Sequence, residues 1–150
     1  MTLSARLSAG ETVFTALDDF ARANALDWDG VRALHAEGVV IGSHSVSHPD
    51  FATLSADAAR SELHRSRERL MEQLGVEVDA FAIPFGQSAN WTAALTELAR
   101  EVGYVHVYAQ SCDRRPPGTV GRTFITKFDD SRRFRAAING AFDGWEEWSW

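Results

Sequence analysis

Apolar positions change their period several times along the chain, and each change marks an element. In "LDWDGVRALHAEG", Trp28, Val31 and Leu34 recur at helical spacing, Asp27 stands at the N-cap and Gly38 is a stop. "VVIG" is an uninterrupted apolar run and predicts a short buried strand. In "SADAARSELHRSRERLMEQLG", Ala59, Leu63, Ser66, Leu70 and Leu74 form one stripe between a Ser55 cap and Gly75. "VDAFAIPFG" predicts a strand closed by Pro84 and Gly86. "NWTAALTELAREVG" predicts a helix with Trp91, Ala94, Leu95, Leu98 and Val102 on one side. "YVHVYA" is a strand, "SCDRRPPG" a loop, "RTFITKF" a strand and "DSRRFRAAINGAF" a last helix. The end "GWEEWSW" is expected to cover an apolar edge.

Alternating strands and helices with short connections mean βαβ units and parallel strands. Ligands in such folds bind beyond the C-terminal ends of strands. Two unusual segments stand there: "GSHSVSH" after one strand and "PFG" after the next.

The 150 residues correspond to one domain, long enough for a core. Apolar residues make up 45% and charged residues 24%, as in a soluble globular protein. The net charge of −6 argues against a nucleic-acid partner, which needs a basic face. The basic runs "RSRER" and "SRRFR" read as solvated faces. The single cysteine, Cys112, allows no intrachain disulfide and reads as structural. No stretch approaches the ~20 apolar residues of a membrane span, and the first residues lack a signal peptide's apolar run. The expected location is cytoplasmic for the chain as written, and open if a signal precedes it.

His44 and His48 are two of five histidines and lie four positions apart. Two imidazoles at that spacing on a helical turn can share a metal; Pro49 keeps any such turn short. Gly42, Ser43, Ser45 and Ser47 leave room for a ligand and for supporting hydrogen bonds. The zinc-protease pattern H-E-x-x-H is absent, since Ser45 stands at the glutamate position. Spacing alone leaves open that both are polar loop residues. His35 and His64 read as helix-surface residues, and His106 as a structural strand residue.

"ALHAEGVVIGSHSVSHPDFATLS", "SELHRSRERLMEQLG" and "FAIPFG" together resemble the polysaccharide deacetylase family, the NodB-homology or carbohydrate esterase 4 group. The likeness covers roughly residues 27 to 110; "GRTFITKFDDSRRFRAAINGAF" is weakly similar to the family's closing strand and helix. The resemblance implies an α/β fold, a distorted (β/α) barrel of parallel strands. It implies hydrolysis of acetyl groups on amino sugars or polysaccharides, assisted by zinc or another divalent transition metal. Carried over, His44 and His48 are metal ligands. Phe85 takes the position whose backbone N–H stabilises the oxyanion, and Pro84 and Gly86 shape that substrate-facing turn.

Three departures stand out. The family's Thr-Phe-Asp-Asp-Gly segment, source of the third ligand and the base, is not visible. Asp18 and Asp19 stand among Val13, Leu17, Phe20 and Ala21 at helical spacing, with no glycine after them, and read as a solvated helix face. Ala82 stands in the region of the family arginine, and no histidine follows His106 to supply the late leucine-x-histidine acid. The expectation is therefore a partial (β/α) barrel, residues 1–150 as a single N-terminally incomplete domain lacking its opening strands. A second copy could cover the exposed strand edges.

Two function classes follow. One is a metal-dependent deacetylase of acetylated carbohydrate. The other is a catalytically impaired remnant that binds metal or carbohydrate, with Trp145, Trp148 and Trp150 as sugar-stacking candidates. A phosphate-binding domain is disfavoured, because no Gly-rich loop of the required spacing occurs.

Overall fold

The computed structural model describes residues 26–110, 115–122 and 128–139. The chain forms two compact units, residues 1–39 and 40–150. In the first, helix α1 (Trp28–Ala36) begins where the Asp27 carboxylate accepts the Gly30 N–H at 2.8 Å. Its expected stripe is only partly covered: Trp28 and Val31 are half-buried, Leu34 is exposed, and no side chain is fully buried.

The second unit is built on a parallel sheet of three strands: β1 (Ala80–Ala82), β2 (His106–Gln110) and β3 (Val120–Arg122). They stand side by side in chain order. Helix α2 (Ala56–Leu74) precedes β1, α3 (Ala93–Val102) crosses from β1 to β2, and α4 (Ser131–Ile138) follows β3. Parallel strands in sequential order, with a helix between the first two and another after the third, fit the pattern of a (β/α) barrel; among the described residues the sheet is open.

Local sequence explains the helix ends. Ser55 Oγ accepts the Ala58 N–H, and α2 ends at Gly75 with φ 70°. Ala59, Leu63 and Ser66 are buried, with Leu70 and Leu74 packed against the core, as the stripe predicts. Thr92 caps α3 and Asp130 caps α4, each accepting a backbone N–H three residues on. The inward face of α3 holds Leu95, Leu98 and Val102 as expected, together with Thr96 and Ala99, and differs at Ala94, which is exposed. Trp91 is buried ahead of the helix, and its Nε1 donates to Thr96 Oγ1 at 3.0 Å.

Alternation along the strands sends Phe81, Ile83, Val107 and Ala109 into one core with Leu63, Leu95, Leu98 and Tyr104. Phe51, from the 3-10 turn Phe51–Thr53, packs its ring 5.7 Å from Phe81 and 5.1 Å from Trp91. Ala80, Ala82, Tyr108 and Gln110 face the other way and are half-buried.

One strand expectation is corrected. "VVIG" is not a buried strand: Val40 is 81% exposed, and pairing is confined to one parallel bridge between Ser43 and Phe81. Gly42 permits that approach, since a Cβ there would stand 3.1 Å from the Ala80 carbonyl oxygen. Of the strand expected from "RTFITKF", Arg122 lies in β3 (Val120–Arg122), and residues 123–127 lie outside the described residues. The "GWEEWSW" end also lies outside them, as do Cys112 and the region in which the opening strands were expected to be missing.

A buried polar network ties the Ser43 bridge to α2. Ser43 Oγ donates to Ser66 Oγ at 2.8 Å, Ser66 Oγ lies 3.2 Å from Tyr104 Oη, and both of those hydroxyls reach the Leu63 carbonyl at 3.0 Å. Burial raises the Tyr104 pKa, against a lowering by the hydrogen bonds of Ser43 and Ser66, so Tyr104 stays a neutral phenol. Ser66→Ala leaves the Ser43 hydroxyl without its acceptor. Urea denaturation should show a loss of about 1–3 kcal/mol; an unchanged stability would mean that the network contributes nothing net.

Candidate functional site

Ser43 is bonded to β1 on both sides. Its N–H donates to Ala80 O at 2.8 Å, and its carbonyl accepts the Ala82 N–H at 2.9 Å. The Ser43 side chain is buried, so the next residue, His44, faces outward. His44 Nδ1 lies 2.8 Å from Ala82 O. A carbonyl only accepts, so Nδ1 carries the proton, and in the neutral ring Nε2 keeps a free lone pair. That is the arrangement of a metal-ligating histidine.

His48 stands edge-on to His44, with centroids 4.8 Å apart and planes at 76°. Its ring meets Phe85 with the same angle at 4.7 Å. All three side chains are exposed. Residues 44–48 form a bend and no helical turn: Ser45 has φ 71° and His48 φ 56°. The four-residue spacing therefore acts through two left-handed residues instead of helical periodicity.

Glu62 on α2 holds this bend. Its Oε2 accepts the N–H groups of Val46 (2.8 Å) and Ser47 (3.0 Å), and its Oε1 accepts Ser47 Oγ–H at 2.8 Å. Ser45 Oγ accepts the His48 N–H at 2.9 Å. Burial works to raise the Glu62 pKa, but the hydrogen bonds from Ser47 and Val46, with the Arg65 charge, outweigh it and hold the carboxyl below its usual range. Sequence reasoning missed Glu62. The available signal was its place four residues before buried Ser66, at the margin of the α2 stripe.

The second segment is the turn after β1. Ile83 N–H donates to Tyr108 O at 3.0 Å, and Gln110 N–H to Gly86 O at 2.8 Å. Pro84 and Gly86 are buried and shape the turn, whereas Phe85 is 52% exposed with φ 62°. Gly86 has φ 77°, and a Cβ there would stand 3.1 Å from Gln110 N. Among the described residues no acceptor pairs with the Phe85 N–H.

The remaining candidates lie elsewhere. His106 is exposed at the start of β2, the end opposite Gln110. His35 is half-buried on α1, and His64 meets Glu68 on the surface of α2 at 3.0 Å. Asp50 caps the Phe51–Thr53 turn by accepting the Ala52 N–H at 3.1 Å. Among the described residues no third His, Cys, Asp or Glu joins the pair as a metal group. Asp18 and Asp19 lie outside those residues.

The profile of the polysaccharide deacetylase family matches residues 5–107, more than half of the chain. The chain belongs to the polysaccharide deacetylase family. The match begins upstream of the stretch that carries the resemblance by eye and takes in Asp18 and Asp19. An uncharacterised 30.6 kDa protein of Geobacillus stearothermophilus is 35% identical over 81 residues, covering 53% of this chain and 29% of that protein. In fold the chain is similar to the Streptococcus pyogenes deacetylase PplD in complex with acetate, with TM-score 0.67 and 18% identity over 80% of this chain and 54% of that one. A Bacillus cereus polysaccharide deacetylase gives TM-score 0.63 and 19% identity over 76% of this chain and 37% of that one. This polysaccharide deacetylase chain thus spans about a third to a half of the length of these relatives. Its open parallel sheet is a partial NodB-type (β/α) barrel.

Glu62 makes the histidine bend sensitive to acid. Its folded pKa is lowered, so its contribution to stability is present above the unfolded value and lost as pH falls through the folded one. Wild type should therefore lose more stability than Glu62→Gln between about pH 6 and pH 3 in urea denaturation. Equal losses would show that the Glu62 charge does not support the fold.

Proposed function

We propose that this chain is the metal-holding and oxyanion-forming part of a hydrolase that removes acetyl groups from amino sugars or acetylated polysaccharide. The observation that carries the reading is the His44–His48 pair, with His44 Nδ1 committed to the Ala82 carbonyl and Phe85 against His48. Two imidazoles, one with its tautomer fixed, are donors of the kind zinc or a similar transition metal takes, and the third donor would have to come from outside the described residues. When bound, such an ion polarises an acetyl carbonyl and lowers the pKa of water toward about 7.

The residues of the chain supply the rest of the reading. His44 and His48 would hold the ion at the C-terminal end of β1. The Phe85 N–H, without a protein acceptor among the described residues, would donate to the acetyl oxygen as negative charge develops on it. Pro84 and Gly86 keep that turn in one shape. Exposed Val46 and the exposed Phe85 ring give the site apolar flanks, suited to an acetyl methyl group or a sugar face. The net reaction consumes one water, breaks the acetyl C–N bond, or C–O bond for an ester, and releases acetate with a free amine or hydroxyl.

The test is zinc titration of the chain beside His44→Ala and His48→Ala, with acetate release from N-acetylated chito-oligosaccharides measured on the same samples. About one zinc per chain, lost in both variants together with acetate release, is expected. Zinc bound at the pair without acetate release would favour the binding-remnant reading. Zinc binding unchanged by either substitution would remove the metal role of the histidines.

A further inference from the structure

The turn that carries Phe85 is held by more than its two backbone hydrogen bonds. Arg122, the last residue of β3, is paired in register with Gln110 of β2. Its side chain passes over β2 to the end of β1. Nη2 donates to the Ile83 carbonyl at 3.2 Å and lies 3.2 Å from where a Cβ would stand on Gly86. The Arg122 Nε is buried and has no hydrogen-bond partner among the described residues. A guanidinium stays charged at any working pH, and a buried donor without an acceptor is costly. An apolar side chain would fill the same space without that cost. Arg122 therefore reads as a group kept for what its fork does at the turn.

We propose that Arg122 is a positioning residue for this site: by holding the Ile83 carbonyl and occupying the space over Gly86, its guanidinium fixes the Ile83–Gly86 turn and with it the direction of the Phe85 N–H. Phe85 sits at φ 62°, a left-handed conformation that an aromatic residue keeps only when its surroundings impose it. The constraints are Tyr108 O on Ile83 N–H, Gln110 N–H on Gly86 O, and Arg122 on Ile83 O. The first two are ladder-like bonds that any side chains permit. The third depends on residue 122 alone. Gly86 keeps its path open, since its missing Cβ leaves room for the guanidinium. This inference rests on the deacetylase reading of the turn.

The test compares full-length Arg122→Met and Arg122→Lys with wild type in three readouts: steady-state acetate release with zinc, zinc affinity, and hydrogen exchange of the Gln110 amide, which is bonded to the turn. Arg122→Met should lower kcat about 10-fold or more, as a misdirected oxyanion donor does. KM and zinc affinity should stay within about 2-fold of wild type, and Gln110 exchange should quicken. Arg122→Lys, which keeps a charged donor, should recover part of kcat. A zinc affinity that falls in parallel with kcat, or no recovery with lysine, would assign Arg122 a merely structural role. Should Arg122→Met fail to fold, the lysine variant still decides, since under the proposal any loss of kcat in it comes with faster Gln110 exchange, and a loss of kcat with wild-type exchange would overturn it. Should wild type itself release no acetate, the deacetylase reading fails separately, and unchanged Gln110 exchange in Arg122→Met would overturn the positioning of the turn.

Discussion

One short parallel bridge organises the site. Two backbone hydrogen bonds, Ser43 N–H to Ala80 O and Ala82 N–H to Ser43 O, fix residue 43 against β1. A pleated backbone then leaves little choice. Ser43 must face the core, where its hydroxyl meets Ser66 and through it Tyr104. His44 must face the other way, and the bridge brings its ring within hydrogen-bond reach of the next free carbonyl, that of Ala82. Gly42 is what lets the two backbones come this close. The tautomer of His44 thus follows from strand register and not from the histidine's own neighbours in sequence.

Around that bridge the chain departs from relaxed geometry. Among the described residues, the three non-glycine residues with positive φ are Ser45, His48 and Phe85. Each such residue costs on the order of 1–3 kcal/mol. The strain is held by identifiable bonds. Glu62 takes three hydrogen bonds from the 46–47 segment, and a carboxylate acceptor strengthens them. Ser45 accepts from His48, and the 83–86 turn is pinned to β2. Rigidity at the pair is thus built from backbone donors converging on one side chain of α2.

How much of this the sequence discloses depends on range. The caps at Asp27, Ser55 and the stop at Gly75 are local chemistry and stand where the residues predict them. The parallel order of β1 and β2 follows from helix–strand alternation. "VVIG" misleads because an apolar run signals burial only if a neighbour exists to bury it, and Val40 is 81% exposed. Ala94 misleads because it stands about 100° from Leu95 around the helix, at the edge of the face that Leu95, Leu98 and Ala99 bury. His44 and His48 are legible from spacing and from the family resemblance, but the left-handed bend that joins them is not. Glu62 and Arg122 act across 15 and 39 residues of sequence, respectively, and no local pattern announces them.

The decisive contrast between a functional site and a polar loop is where the costs fall. A plain surface bend would place Gly or Asn at left-handed positions, since either adopts positive φ at little cost. Here the chain has serine, histidine and phenylalanine at those positions, within two segments whose rings touch. It also keeps a buried guanidinium nitrogen, unpaired among the described residues, beside the same turn. For a domain stabilised by roughly 5–15 kcal/mol, several such departures are a substantial fraction of the total. A loop that only connected Ser43 to α2 would gain stability by losing them. Their concentration around His44, His48 and Phe85, with the stripe of α2 and the core of the sheet otherwise regular, supports the proposed site, which would have to hold two imidazoles and one N–H in fixed directions.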